Sequence, residues 1–487
     1  MSPYLVILII VAYFLVLISI SYFTGKNANN DAFFLGNRKS PWYIVAFGMI
    51  SASLSGVTFI SVPGWVVDSN FSYMQMVLGY LLGYAVIANV LMPMYYRLNL
   101  TSIYTYLGQR FGIYSYKTGA SFFLLSRIIG ASFRLFLVAN VLQITVFNTL
   151  NIPFWVTVVI TIVLIWLYTF KGGIKTIIWT DSLQTIFMLA AVGVSTVLIS
   201  KQLNLDFKGM VNTIVENKHS KIFYFDDFKG AYFFFKQFFA GAFIAVVMTG
   251  LDQDMMQKNL SCRNLKDAQK NMVSFSIVLV FVNLLFLALG ALLYMYAEST
   301  GMQIPEKADQ LFPMLALGGY LGLGVGVFFI LGLIAAAYSS ADSALTALTT
   351  SYSIDILEVD KKPEKNAVSI RRRVHIYMSI ALIIIILIFK AIDNDSVIAQ
   401  LFTAAGYTYG PLLGMYAFGL FTKLGVKDRF VPIVCILSPI LSFVLDYWSA
   451  DLFGGYEIGF EILIINGAIT FLGLLILNSG RSNLSFK

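Results

Sequence analysis

The sequence predicts an all-α membrane protein of about thirteen helices, built around two spans interrupted by polar and small residues. Three observations lead there. Of 487 residues, 58% are apolar and only 12% are charged, against roughly a quarter charged in soluble domains. The apolar residues gather in runs of the length, about 20 residues, that a helix needs to cross a bilayer core of roughly 30 Å. The basic residues then alternate from one loop to the next.

The runs fall at 4–23, 42–67, 71–96, 119–147, 152–170, 176–200, 231–251, 272–298, 320–352, 374–390, 397–422, 430–447 and 457–477. The first has no basic flank and no small-residue cleavage site, so it reads as a true span and not a signal peptide. With the N-terminus outside, 23 Lys and Arg fall in inside loops, 7 in outside loops and 3 (Arg127, Arg134 and Lys236) within spans. Basic loops stay cytoplasmic, so this asymmetry argues for the whole topology at once. It predicts a cytoplasmic C-terminus and a multi-pass protein of the plasma membrane, most simply a bacterial inner membrane. The formal net charge of +8 is then a topology signal, and no nucleic-acid role is needed to explain it.

The same composition excludes other classes. Two cysteines, Cys262 and Cys435, make no disulfide framework. Two histidines, His219 and His375, leave almost nothing for a metal or haem site. No phosphate-binding loop or nucleotide domain for an ATP-driven pump is found. An intramembrane enzyme would need a nucleophile–base pair or metal cluster in the spans, and neither is expected. A sensor would add a signalling domain after 477, where only a short tail follows.

Two spans carry residues a lipid-facing helix does not favour. Run 42–67 holds Ser51-Ala52-Ser53-Leu54-Ser55-Gly56-Val57-Thr58 and then Pro63-Gly64, and run 231–251 holds Lys236-Gln237, Gly241 and Gly250. Five spans separate them. Interrupted helices at corresponding places in two five-span halves point to an inverted-repeat transporter; a close-packing face of small residues gives the same pattern. Ala336, Ser339, Ser340 and Ser343 lie at i, i+3, i+4 and i+7 and share one helix face. Asp181 and Asp342 are carboxylates within spans, which are costly and usually functional. Arg127 and Arg134, seven apart, share a face. Arg127 is near a helix end and can snorkel, while Arg134 is near mid-span. Arg134 suits bidentate capture of a carboxylate, or a buried pairing with Asp181, Asp342 or backbone carbonyls. Ser51, Ser55 and Thr58, at i, i+4 and i+7, would face one cavity, with Gln75 a further polar candidate and Lys236 a weaker one.

Five segments carry a resemblance: Phe33-Phe34-Leu35-Gly36-Asn37-Arg38; Gly172-Gly173-Ile174-Lys175 with Trp179-Thr180-Asp181; Asp252-Gln253-Asp254-Met255-Met256-Gln257; Ala336-Ala337-Tyr338-Ser339-Ser340-Ala341-Asp342-Ser343; and Gly406-Tyr407-Thr408-Tyr409-Gly410-Pro411. Together they resemble the sodium/solute symporters over nearly the whole chain. The resemblance implies a LeuT-type core of two inverted five-helix repeats. It divides the chain into an extra N-terminal helix and loop (1–41), a first repeat (42–200), an external loop (201–230), a second repeat (231–422) and two C-terminal helices (423–487), in a monomeric transport unit within the lipid bilayer.

The resemblance also implies ligands. Sodium would be the coupling ion, held by the Ser339 and Ser340 hydroxyls and the carbonyls of Ala336, Ser51 and Leu54. A hard cation of this kind takes oxygens. Asp181, Asp342 and Ser343, with Ser339 shared, match a second sodium site found in some members. Asp342 departs from the serine other members carry there, which leaves ligand, proton carrier and ion-pair partner all open. In sialic-acid carriers of the family, equivalents of Ser55, Thr58, Gln75 and Arg134 line the solute site. A neutral sugar or polyol, an amino acid or a monocarboxylate are the alternatives. Phe59 and Tyr407 are candidate gates.

Overall fold

The structure, a computed structural model, describes residues 2–26, 29–392, 397–456 and 458–481. The predicted start of the last span at 457 and the end of the tail at 482–487 lie outside them. In chain order its main helices are α1 (Pro3–Thr24), α2 (Trp42–Ser53), α3 (Gly56–Gly64), α4 (Tyr73–Arg97), α5 (Ile113–Leu142), α6 (Phe154–Thr169), α7 (Ile174–Gln202), α8 (Phe234–Gly250), α9 (Gln253–Leu260), α10 (Leu265–Ser299), α11 (Gly322–Ile356), α12 (Glu364–Ile392), α13 (Val397–Phe421), α14 (Val431–Tyr447) and α15 (Ile462–Ile476). Each predicted apolar run falls on one of these helices. Among the described residues, eight helices are long and apolar enough to cross a membrane, or ten if each of two bent pairs is one span; α6 and α15 are apolar but shorter. One small exception to the all-helical pattern is an antiparallel pairing of Leu424–Val426 with Asn478–Arg481.

Sequence dictates the outer faces. In α1 the residues Val6, Ile10, Tyr13, Phe14, Leu17 and Ser21 recur at helical spacing and are buried, while Leu8, Val11 and Leu15 are exposed. An exposed apolar stripe opposite a packed one is what a lipid-facing helix requires. Ser2 caps α1 by accepting from the Leu5 N–H.

Both bends are present, the second at the last of its candidate positions. α2 meets α3 at 56° and α8 meets α9 at 64°. The first bend falls in the Ser53–Gly56 segment, as the polar run suggests. It is prepared one turn earlier by Thr185 of α7, whose hydroxyl accepts from the Ser51 N–H at 3.2 Å and lies 2.8 Å from the Phe47 carbonyl. A hydroxyl inserted in the i→i−4 ladder bends a helix. The second span offered Lys236-Gln237, Gly241 and Gly250 as interruptions, and α8 runs through the first two places to Gly250. There a π-helical turn, Val246–Gly250, ends it, and Asp252 caps α9 by accepting from the Asp254 N–H at 2.9 Å. The small residues at 241 serve packing instead: a Cβ on Gly241 would lie 2.2 Å from the Met76 carbonyl oxygen, so the α4 and α8 backbones touch there.

Packing also explains the segment at 406–411. A Cβ at Gly406, Gly410 or Gly414 would collide with Ile462, Asn466 or Thr470 of α15. Pro411 has no N–H to give the Tyr407 carbonyl. The Asn466 side-chain amide donates to that carbonyl at 2.9 Å and to the Gly406 carbonyl at 3.0 Å. Three more of the matched segments meet at one end of the bundle. Gln257 Nε2 donates to the Phe34 carbonyl at 2.7 Å, and Gly173, at φ +49°, leaves no room for a Cβ beside the Phe33 ring.

Candidate functional site

The bend between α2 and α3 leaves Leu54 and Ser55 outside both helices, so nearby carbonyls and the first N–H groups of α3 lack helical partners. No side chain caps α3. Beside this break lies a cavity of about 80 Å³ lined by Leu54, Ser55, Thr58, Arg134, Thr249 and Asn283, among others. The predicted solute residues Ser55, Thr58 and Arg134 are thus brought together. Arg134 is buried, and its Nε has no hydrogen-bond partner among the described residues. The pairing with Asp181 or Asp342 left open from sequence does not occur: Arg134 forms no ion pair with either among the described residues.

Arg127, one face-repeat away, is spoken for. It pairs with Asp254, and its Nη1 lies 3.6 Å from Asp252 Oδ2, all three side chains being buried. The Tyr409 hydroxyl donates to that same Asp252 oxygen. This cluster joins α5, α9 and α13 along one side of the cavity. It does not snorkel to a helix end, as the sequence suggested for Arg127.

On the opposite side of the break stands α11. Ser51 Oγ lies 2.8 Å from Ser339 Oγ, and the Ser339 hydroxyl donates to Asp181 Oδ1 at 2.8 Å. A hydroxyl that donates to a carboxylate presents only lone pairs to its other neighbours, and with Ser51 on one of them the Ser339 oxygen still has one for a cation. Ser340 is buried, and its hydroxyl has no partner among the described residues. The alternative of a hydroxyl bonding back to its own helix therefore does not apply to it. Two oriented hydroxyls facing a helix end with free carbonyls form the oxygen set a sodium ion takes.

The carboxylates next to this set hold a surprise. Asp181, Asp342 and Ser343 do come together. Ser343 Oγ is 3.4 Å from Asp181 Oδ2 and 3.2 Å from Asp342 Oδ1, and the Tyr168 hydroxyl donates to Asp342 Oδ2 at 2.8 Å. But Asp181 Oδ2 is also 2.7 Å from the ammonium of Lys258, a side chain only 2% exposed. Sequence reasoning had counted Lys258 among cytoplasmic-loop cations. The signal available was its position four residues after Asp254, inside a polar segment matching the family.

Other expected residues stand elsewhere. Gln75 is buried but does not line the cavity: its Nε2 donates to the Tyr232 carbonyl at 2.9 Å and its Oε1 accepts from the Tyr224 N–H at 3.1 Å, pinning the segment between α7 and α8. The candidate gates are likewise away from the cavity. Phe59 packs among Phe286, Phe312 and Phe329, and Tyr407 donates to Asp446 of α14 at 2.6 Å. Lys236 lies 3.3 Å from Glu461 and 4.1 Å above the Tyr456 ring, bridging α8 toward α15.

Comparison with known proteins gives a consistent picture. The model of the sodium:solute symporter family matches residues 33–425. The sodium/sialic acid symporter NanT of Aliivibrio fischeri is 24% identical over 469 residues, covering 92% of this chain and 89% of its own. The sodium/sialic acid symporter SiaT of Proteus mirabilis is 24% identical over 482 residues, covering 92% and 91%. Among solved structures, a Na+-coupled sialic acid symporter in a substrate-bound outward-open state superposes with a TM-score of 0.83 at 19% identity, covering 98% of this chain and 99% of the other. The fold is therefore the LeuT-type transporter fold of two inverted repeats.

Proposed function

This chain belongs to the sodium:solute symporter family, and we propose that it carries a sialic acid inward with sodium by alternating access. The observation that carries the choice of solute is the cavity itself. Buried Arg134 and the uncapped N-terminus of α3 both border it, and both favour an anion. A neutral sugar would leave the guanidinium buried without a counter-charge, which is costly. Ser55 and Thr58 supply hydroxyls for the sugar-like part of the solute. The names of the NanT and SiaT relatives support the same reading.

Sodium is held, on this reading, by the Ser339 and Ser340 hydroxyls with the carbonyls of Ala336, Ser51 and Leu54. Asp181 acts on that site through Ser339, by taking its proton and fixing its lone pairs. Sodium bound there draws the α2–α3 break against α11 and orders the Ser55–Thr58 wall, which raises solute affinity. The repeats, 42–200 and 231–422, then rock about the site. Inward sodium flow supplies about 2.3 kcal/mol per charge per 100 mV of potential, plus the concentration term. The chain acts as a monomer in a bacterial inner membrane, with its N-terminus outside and its C-terminal segment in the cytoplasm, and performs no catalysis.

Reconstitution in proteoliposomes tests this. An inward sodium gradient should drive accumulation of radiolabelled N-acetylneuraminic acid, and a potassium gradient should not. Uptake of a neutral hexose in preference to the acid would overturn the solute assignment. Uptake indifferent to sodium would overturn the coupling.

A further inference from the structure

We infer that Lys258 is the resident cation of the carboxylate chamber, and that the transporter therefore couples one sodium ion per cycle where the Asp181, Asp342 and Ser343 arrangement would otherwise take a second. The inference rests on the proposed sodium ligands Ser339 and Ser340 and goes beyond them.

The geometry is specific. Both oxygens of Asp181 are engaged, Oδ1 by the Ser339 hydroxyl at 2.8 Å and Oδ2 by the Lys258 ammonium at 2.7 Å. A sodium ion coordinating Asp181 needs one of those oxygens. Oδ2 would set it directly against the buried ammonium, and Oδ1 places it on the same carboxylate, whose charge the ammonium already answers. Like charges at contact distance, away from water, repel strongly. Lys258 has nowhere nearby to retreat to. Its helix is fixed by the Asp252 cap at one end and by Gln257 on the Phe34 carbonyl at the other. The nearest alternative partner, Asp254 Oδ1, is 4.0 Å away, and Asp254 already serves Arg127. Asp342, the second carboxylate of the chamber, is met by the Tyr168 and Ser343 hydroxyls. The carboxylates of the chamber thus already have a resident cation and hydroxyl donors, whereas the Ser340 hydroxyl, in the first site, has no partner among the described residues.

There is a mechanical corollary. Lys258 sits on α9, the arm of the second bent helix, and Asp181 on α7, so the ion pair ties the two proposed repeats together beside the sodium site. A tethered ammonium meets the same electrostatic need as a bound ion without entering the transport stoichiometry.

Equilibrium binding of radiosodium to the purified full-length protein in nanodiscs tests the inference. One saturable site per chain is expected, its sodium affinity weakened roughly tenfold by Ser340→Ala. Lys258→Gln should expose the chamber and raise the count to two, with sodium activation of uptake turning from hyperbolic to sigmoidal. The double variant Asp181→Asn, Lys258→Gln, which removes both charges, should return the count to one or fewer. Two sites in the unmodified protein would overturn the inference while leaving sodium coupling intact. An unchanged single site in folded Lys258→Gln would overturn it as well. No saturable sodium binding at all would overturn both this inference and the proposed coupling.

Discussion

The cavity at the α2–α3 break and the carboxylate chamber beside it share an inventory, of buried serines and charged side chains, and differ in whether those groups have partners. In the cavity, Arg134 Nε is buried without one among the described residues, and so is the Ser340 hydroxyl of the proposed sodium set on α11. In the chamber, Asp181 has Lys258 and Ser339, and Asp342 has Tyr168 and Ser343. A buried polar group without a partner costs free energy. A protein keeps it where a ligand will complete it. The same types of residue already satisfied by one another hold helices in place. The contrast of Arg127 with Arg134 makes the point on a single helix face: seven residues apart, both line the cavity, but one is paired with Asp254 and the other has an Nε with no hydrogen-bond partner among the described residues.

If this distinction is right, variants in the two regions should fail in different ways. The largest effect is expected at the paired cluster. Asp254→Ala takes away the nearer counter-charge of buried Arg127, leaving it Asp252 at 3.6 Å, and should cost about 3–5 kcal/mol of stability, the usual penalty for breaking a buried pair. Thermal unfolding in detergent should show a large drop in midpoint, and a midpoint equal to wild type would contradict the assigned role. Next comes Arg134→Ala, which should weaken N-acetylneuraminic acid binding about 100-fold, since hydrogen bonds to a charged group are worth about 1.5–3 kcal/mol. Its unfolding midpoint should stay close to that of wild type. Unchanged affinity for the acid would remove the carboxylate clamp from the account.

A smaller effect is expected at Ser340→Ala. Losing one ligand oxygen should raise the sodium concentration for half-maximal uptake roughly tenfold, again about the worth of one charge-assisted bond. Affinity for the acid at saturating sodium should change little. The smallest is Tyr407→Phe. Its hydroxyl meets Asp446 and not the cavity, so uptake should fall by no more than roughly twofold, within the range of substitutions remote from a site. A severe transport defect with normal stability would restore Tyr407 as a gate.

Much of this was legible in the sequence, and the failures have identifiable physical causes. Helices reveal themselves through long apolar runs, so each predicted run found its helix. The break at 53–56 was visible because Ser and Gly weaken helix continuity locally. The break after Gly250 was not separable from Gly241, because Gly241 is there for backbone contact with α4, a tertiary reason a one-dimensional pattern does not carry. Lys258 was lost to the loop count for a related cause: α9 is eight residues long and polar by composition, yet every one of its residues is buried. Ser55 and Thr58 were grouped by helical spacing, and Arg134 joined them through its mid-span depth and the family resemblance. Gln75 was not separable from them, because its outward turn depends on the 224–232 backbone far away in sequence.

The most direct measurement is a calorimetric titration of N-acetylneuraminic acid into the purified protein in sodium and in potassium buffers of equal ionic strength. The account predicts saturable binding in sodium, and affinity in potassium weaker by an order of magnitude or more, because the Ser339–Ser340 site orders the wall of the cavity. Equal affinity in the two salts would contradict it.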